Sequence, residues 1–381
     1  MKKIIILGST GSVGVRALEV AKELGFKVEG ISAGKNIELL KKQIEEFFPA
    51  FVCVKNSRDA QELSKNYKAS FMSGKEGLCK VATLSDCEVV VNAVSGFAGL
   101  EPTFAAARCG KKIAIANKES IVSGGNILMR CVQENGAQIF PLDSEHNAIW
   151  QCLGGTLKTS GEVKKLILTC SGGPFFGYSK EELKKVTPEK INHPNWQMGP
   201  KISVDCATLI NKGLEIAEAA YLFGVDPYSI EVVIHRESII HSMVEFVNGS
   251  LIAQMSEPDM KIAIHCALSF PLRVKNNSKS MDLTKKGILT FIKPKEDYEQ
   301  IFEMFRKALR MGEQAICTLN AANEVAVKSF LSGRIGFSDI PRVVKKVFES
   351  VAFKPIYSLE SVIEANKNAE KLTEEIIESG F

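Results

Sequence analysis

The sequence predicts an α/β protein: a Rossmann-like doubly wound sheet at the amino terminus, an α+β segment after it, and a helical bundle at the carboxyl end. Three observations carry this. A β-branched run, Ile4-Ile5-Ile6-Leu7, opens into Gly8-Ser9-Thr10-Gly11-Ser12-Val13-Gly14 and then a helical pattern. Short apolar runs alternate with helical patterns as far as Leu142. Beyond residue 296 the apolar residues recur at helical spacing alone.

A continuous apolar run such as Ile4 to Leu7 suits a strand buried on both faces of a parallel sheet. Val15, Leu18, Ala21, Lys22 and Leu24 follow as a helix that ends at Gly25. Strand, glycine-rich turn and helix in that order cradle a pyrophosphate, because glycines admit the phosphates close to backbone and the helix N-terminus supplies N–H donors. The spacing is G-x-x-G-x-x-G rather than G-x-G-x-x-G, so a plain strand–helix turn remains the alternative. The second strand, Lys27 to Ser32, ends in Ala33-Gly34-Lys35-Asn36. An NADH site carries an acid there for the ribose hydroxyls, and Glu29 lies too early. Ser32, Lys35 and Asn36 suit a 2′-phosphate, which favours NADPH. A solvated lysine at a helix start is the competing account of Lys35.

Further strands are expected at 51–54, 88–93, 112–116 and 138–142, with helices at 57–64, 99–109 and 119–134. Ligands of such sheets sit beyond the carboxyl ends of strands. Val94-Ser95-Gly96, Asn117-Lys118-Glu119 and Asp143-Ser144-Glu145 occupy those ends. An extended chain past Leu142 would point Asp143 and Glu145 to one side. Asn211, Lys212 and Glu215 stand three and four apart, on one face of a helix. Carboxylates without Cys or His at ligand spacing suit a hard cation such as Mg²⁺ or Mn²⁺. Two acidic helix starts are the alternative, and the nucleotide-binding amino terminus weighs against it.

In the middle of the chain, 165–168 reads as a strand that enters Thr169-Cys170-Ser171-Gly172-Gly173-Pro174. This small-residue turn can offer N–H groups and a hydroxyl to an anion, or is a plain turn. His193-Pro194-Asn195-Trp196-Gln197-Met198-Gly199-Pro200 reads as a closing loop or as a loop anchored by a buried Trp. Residues 231–234, 239–246 and 250–255 read as antiparallel strands whose sheet suits a dimer interface. His235 and His241 read as hydrogen-bonded structural residues, since neither has a partner at ligand spacing. A helix starts at Glu257-Pro258-Asp259-Met260, and 270–294 is an irregular connector. Ile301, Phe305, Ala308 and Leu309 open the helical part; Ala322, Val325, Ala326 and Phe330, then Ile340, Val343, Val344 and Val347, continue it. It carries no titratable constellation, so its role is support.

The chain has 381 residues, 45% hydrophobic and 24% charged, with a formal net charge of +4. So small and dispersed an excess argues against nucleic-acid binding. No stretch approaches a membrane span, and the apolar run after Met1-Lys2-Lys3 is too short for a signal peptide. The 10 cysteines include no Cys-x-x-Cys pair, as expected of reduced thiols in the cytoplasm.

Eight ordered motifs over essentially the whole length resemble the 1-deoxy-D-xylulose 5-phosphate reductoisomerase family of the non-mevalonate isoprenoid pathway. They are Gly8 to Gly14, Ala33-Gly-Lys-Asn36, Ala116-Asn-Lys-Glu-Ser120, Asp143-Ser-Glu-His-Asn147, Ser171-Gly-Gly-Pro174, His193-Pro-Asn-Trp196, Asn211-Lys-Gly-Leu-Glu215 and Pro258-Asp-Met260. The resemblance implies a homodimer with an NADPH-binding domain at 1–142, a catalytic and dimerisation domain at 143–269, a linker at 270–296 and a four-helix domain at 297–381. It implies a required Mg²⁺, Mn²⁺ or Co²⁺ held by Asp143, Glu145 and Glu215. Gly8, Thr10, Gly11, Ser12, Val13, Gly34, Lys35, Asn36, Asn117, Glu119 and Gly199 would bind NADPH, with Lys118 where cofactor meets substrate. Ser144, Ser171, Asn211, Lys212 and Met260 would hold the sugar phosphate, with His193 and Trp196 on the closing loop.

Two positions depart from the family pattern. Cys206 stands where the family has a serine that donates to the substrate phosphate, and Cys170 where it has Gly or Ala. Lys212 and a helix N-terminus would lower the Cys206 pKa and make it reactive; an inert space-filling thiol is the alternative. The implied reaction rearranges the carbon chain of 1-deoxy-D-xylulose 5-phosphate and reduces the branched aldehyde to 2-C-methyl-D-erythritol 4-phosphate. A divergent reductoisomerase-like oxidoreductase acting on another sugar phosphate, or an NADP-binding regulator without turnover, are the other readings.

Overall fold

The computed structural model describes residues 2–159, 161–191 and 199–381. They group into two compact units that interleave along the chain.

The first unit runs to Ser120 and adds Leu128–Asn147 and Asp259–Lys279. Its strands are β1 Lys3–Leu7, β2 Lys27–Ala33, β3 Phe51–Val54, β4 Ser70–Ser73, β5 Val89–Asn92, β6 Lys112–Ile115 and β7 Gln138–Pro141. They form one parallel sheet in the order β4-β3-β2-β1-β5-β6-β7. Ile4 through Leu7 are fully buried, as the unbroken apolar run requires of a central strand. The order turns back between β1 and β5, so the glycine-rich turn after β1 lies at the topological switch point. The sequence reading misses β4: Ser-Phe-Met-Ser is a short, partly exposed edge strand without an apolar run. The helix Met260–Ser269 also belongs here. Ile264, Ala267 and Leu268 share a core with Ile4, Ala17 and Leu18, and Lys261 Nζ lies 2.5 Å from Glu19 Oε2.

The second unit comprises Ile121–Ile127, Ala148–Pro258 and Ser280–Phe381. Its sheet holds β8 Val163–Cys170, β9 Ile230–Ile234, β10 Ile240–Phe246 and β11 Leu251–Met255, in the order β11-β10-β8-β9. β10 is antiparallel to β11, as anticipated, and also to β8, a pairing the sequence pattern does not indicate. β9 instead runs parallel to β8 and does not neighbour β10. The reason is the link between them: the helices Pro200–Thr208 and Ile210–Phe223 carry the chain back to the start of the sheet, which yields a parallel pair. His235 is structural. Its Nε2 accepts the N–H groups of Ile239 and Ile240 at 3.1 Å each, and its Nδ1 donates to Thr290 O at 2.9 Å.

Four helices close this unit: Glu296–Met311, Glu313–Leu331, Asp339–Ser350 and Leu359–Glu378. Phe305, Ile316, Leu319, Val343, Val344 and Val347 meet in their core. The bundle does more than fill space. Asn323 Nδ2 donates to the buried Asp205 at 2.8 Å, and Asn320 Nδ2 to Ser123 Oγ at 3.2 Å. Among the described residues no helix is long and apolar enough to cross a membrane.

Candidate active site

In the first unit the glycine-rich turn is dictated by packing. A Cβ on Gly8, at φ +77°, would lie 2.5 Å from Ala93 O, and one on Gly14 would lie 2.1 Å from Gly8 O. The first lets the chain pass the β5 end, and the other lets the helix Ser12–Glu23 pack onto the turn. Gly11 and Ser12 are exposed, with Thr10 and Val13 half-buried. Ser32 does not face outward as expected. It is buried and its Oγ accepts the Gly8 N–H at 2.9 Å, so it serves the turn. Gly34, Lys35 and Asn36 are exposed at the β2 end. Asn36 caps the helix Ile37–Phe47, accepting from Leu39 N at 3.1 Å.

The next two strand ends meet. Asn117 caps the helix Lys118–Glu134, its Oδ1 accepting from Ser120 N at 2.8 Å. Its Nδ2 donates to Val94 O at 2.6 Å and Gly96 O at 2.8 Å, tying β6 to the segment after β5. Glu119 is buried beside it. Lys118 is 4% exposed, and its Nζ lies 2.7 Å from Asp143 Oδ2. His146 Nδ1 stands 3.0 Å from Asp143 Oδ1. Burial alone would push the Asp143 carboxyl up, but the Lys118 and His146 charges and hydrogen bonds outweigh it and hold the carboxyl well below its usual range.

Asp143 and Glu145 are not placed by extended alternation. A helix, Ser144–Cys152, begins directly after Asp143. The Asp143 carbonyl accepts Asn147 N–H at 2.8 Å, and its carboxylate accepts Glu145 N–H at 3.3 Å. Glu145 stands in the first turn, where Ser144 Oγ donates to it at 2.5 Å. Carboxylates gather at a helix start because the unsatisfied N–H groups and the dipole favour negative charge. Met260 opens its helix half-buried against the first unit's core.

In the second unit the expected helix face is present. Asn211 and Lys212 both donate to the Glu215 carboxylate, and Lys212 Nζ donates also to Thr169 O at 2.6 Å. Glu215 is 1% exposed and Lys212 2%. Asn211 Oδ1 is buried without a hydrogen-bond partner, an acceptor held ready for an incoming donor. Ser171 is half-buried in the turn after β8, its Oγ accepting Gly173 N–H at 3.2 Å. Cys206 is half-buried near the C-terminal end of the helix Pro200–Thr208, not at an N-terminus. Gly199 is exposed at that helix's N-cap, and His193 and Trp196 lie outside the described residues.

Three participants escape the sequence reading. His146 was signalled by its i,i+3 spacing from Asp143. Asp205 was signalled likewise by its i,i+4 spacing from Lys201, which it holds at 2.9 Å, but its bond to Asn323 and the place of Arg236 beside the Ser171 turn have no local signal.

Oxygen donors dominate both clusters, which fits a hard divalent cation, and the glycine-rich turn brings the N-terminus of the helix Ser12–Glu23 to the topological switch point, which fits a pyrophosphate. Fold and site together define a dinucleotide-dependent oxidoreductase with a carboxylate donor set for a metal. The chain belongs to the 1-deoxy-D-xylulose 5-phosphate reductoisomerase family, whose descriptions match in three parts. The reductoisomerase itself matches residues 4–125, and the two forms of its C-terminal domain match 139–223 and 255–372. A relative of that name from Citrifermentans bemidjiense is 44% identical, with 100% of each chain covered. One from Acetivibrio thermocellus is 46% identical over 99% of this chain and 100% of its own. A crystal structure of DOX-P reductoisomerase with NADPH, fosmidomycin and magnesium aligns with TM-score 0.92 at 35% identity, covering 99% of this chain and 98% of the other. The Zymomonas mobilis enzyme with NADPH aligns at 0.90 and 33% identity, with 99% of both chains covered.

Proposed function

We infer that this chain converts 1-deoxy-D-xylulose 5-phosphate into 2-C-methyl-D-erythritol 4-phosphate, an NADPH- and divalent-metal-dependent step toward isoprenoid precursors. The observation that carries this is full-length identity of 44% to enzymes of that name in a chain that keeps buried Lys–carboxylate clusters in both units. When bound, the metal polarises the substrate ketone and acidifies its neighbouring hydroxyl, and NADPH supplies the hydride.

The residue assignments are part of the proposal. Asp143, Glu145 and Glu215 supply oxygens to one Mg²⁺, Mn²⁺ or Co²⁺. Lys118 keeps Asp143 ionised and stands between cofactor and substrate. The unpartnered Asn211 Oδ1 takes a substrate hydroxyl, with Ser144 near the carbonyl end and Met260 beside it. Lys212, Ser171 and Cys206 hold the phosphate, and His193 and Trp196 serve to exclude water. Gly8, Thr10, Gly11, Ser12 and Val13 cradle the NADPH pyrophosphate; Gly34, Lys35 and Asn36 take the 2′-phosphate end; Asn117, Glu119 and Gly199 complete its contacts. Residues 1–142 carry the cofactor, 143–269 the chemistry and the dimer contact, 270–296 the link, and 297–381 the bundle. The protein works in the cytoplasm as a homodimer. Leu251 and Ile252, 51% and 46% exposed on the edge strand β11, support pairing of that edge with a second copy.

The test is one cuvette with purified protein, NADPH, Mn²⁺ and the sugar phosphate. NADPH absorbance falls only when sugar phosphate and cation are both present. No fall with all components present would leave an NADPH-binding protein without this turnover.

A further inference from the structure

We propose that Arg236 is a positioning residue that shapes the Ser171-Gly172-Gly173 turn into the receptor for the substrate phosphate; this rests on the assignment of Ser171 to that phosphate. The Arg236 guanidinium donates to the turn. Its Nη1 donates to Ser171 O and, at 3.0 Å, to Gly173 O, while the group lies 5.0 Å from the centre of the Phe176 ring. Gly172 and Gly173 are both left-handed, at φ +78° and +75°. A Cβ on Gly172 would come within 2.8 Å of the Phe176 ring, and one on Gly173 within 2.7 Å of Cys206 O. The turn is thus clamped between Phe176 and the backbone of the helix that carries Cys206.

A trans peptide points its N–H opposite its carbonyl. With the Ser171 carbonyl turned to the guanidinium, the Gly172 N–H is turned away from it. The Gly173 N–H lies beside Ser171 Oγ at 3.2 Å. The Gly173 N–H is thus spent on fixing the Ser171 hydroxyl, and the Gly172 N–H and the Ser171 O–H are the donors the turn presents to an anion. Without Arg236 the carbonyls of Ser171 and Gly173 lose this donor, and the orientation of the turn's peptides is held less firmly.

Arg236 is itself held on both sides. His235 N donates to Cys170 O at 2.7 Å, and the Glu237 carboxylate accepts from Thr290 Oγ1 at 2.7 Å. Ser238, at φ +53°, closes the loop. A thiol at position 206 is a weak donor, so more of the phosphate's binding falls on the turn's backbone.

The test compares Arg236→Met, Arg236→Lys and Ser171→Ala in the full-length protein with NADPH and Mn²⁺. Arg236→Met raises the KM for the sugar phosphate roughly ten- to a hundredfold, the worth of hydrogen bonds to a charged group. The KM for NADPH and kcat move by less than about threefold, a split that a general loss of structure does not produce. Arg236→Lys keeps a cation without the planar fork and recovers part of the KM. A sugar-phosphate KM within about threefold of native in Arg236→Met overturns the proposal, as does an equal rise in both KM values. If the methionine variant does not fold, Arg236→Lys is read by the same criterion. A KM rise in Ser171→Ala with none at Arg236 defeats this inference alone; no rise in either defeats the phosphate assignment as well.

Discussion

The first unit builds its buried charge across strands, and the second builds it along a helix. Lys118 meets Asp143 at 2.7 Å because β6 and β7 are neighbours, with Ile115 opposite Pro141, and their carboxyl ends deliver both side chains to one place. Lys212 meets Glu215 because they stand one turn apart on the helix Ile210–Phe223. The cross-strand pair depends on the order of the sheet, so its carboxylate is matched to a lysine no local spacing could name. The helical pair is written in the spacing and needs the fold only to bury it. Both end in a similar electrostatic condition: a largely buried carboxylate kept company by a lysine and a second hydrogen-bonding group, His146 in one case and Asn211 in the other.

The helical side is tested first, because its expected effect is largest. Glu215→Gln keeps the fold and NADPH affinity but loses Mn²⁺-dependent turnover by more than about a hundredfold, since even outer partners of metal ligands are worth up to that much. Native turnover at low Mn²⁺ would remove Glu215 from the metal. The cross-strand side follows. Lys118→Met leaves the largely buried Asp143 without its lysine, and lowers the unfolding free energy by about 3 kcal/mol in urea titration. A loss below about 1 kcal/mol would mean that the pair is solvated and the two units are not alike in this respect.

Lys35→Ala probes the exposed rim of the first unit. It raises the KM for NADPH roughly tenfold, about one charge-assisted hydrogen bond, and leaves that for NADH unchanged. Equal effects on both would mean that the lysine does not read the 2′-phosphate. The smallest effect concerns His265, 4% exposed in the helix Met260–Ser269. Burial lowers its pKa below the ordinary 6.5, with Glu23 opposing. The unfolded chain therefore binds the proton at higher pH than the folded one. This contribution to stability is full above 6.5 and is lost as pH falls through 6.5 toward the folded value. His265→Asn should lose less Tm between about pH 7.5 and about pH 5.5 than the native chain does. Identical losses would show that the helix tolerates the charged ring.

Legibility follows the range of the interactions. The buried run Ile4 to Leu7, the glycine turn and the Asn211-Lys212-Glu215 face could be read because each is set by neighbours within two turns or one strand. Ser32 could not: its hydroxyl turns inward only because Gly8 lies on the adjacent strand's end. The parallel course of β9 could not either, since apolar alternation is the same in both directions. The Asp143–Glu145 geometry was misread for a local reason, an N-cap taken for extended chain.

By itself, then, the sequence determined the periodicities, the Gly8–Gly14 turn, the chemistry of the donor groups, and the family. Those are properties of near neighbours, which covalent geometry and burial preference settle together. Only the tertiary structure decided that Met260–Ser269 packs with the first unit, that Lys118 faces Asp143, that Asn323 holds Asp205, and that Arg236 grips the turn at Ser171. Each joins groups far apart along the chain. Such pairings are selected by which faces are left to bury and which buried polar atoms still need partners, and neither exists until the chain has folded.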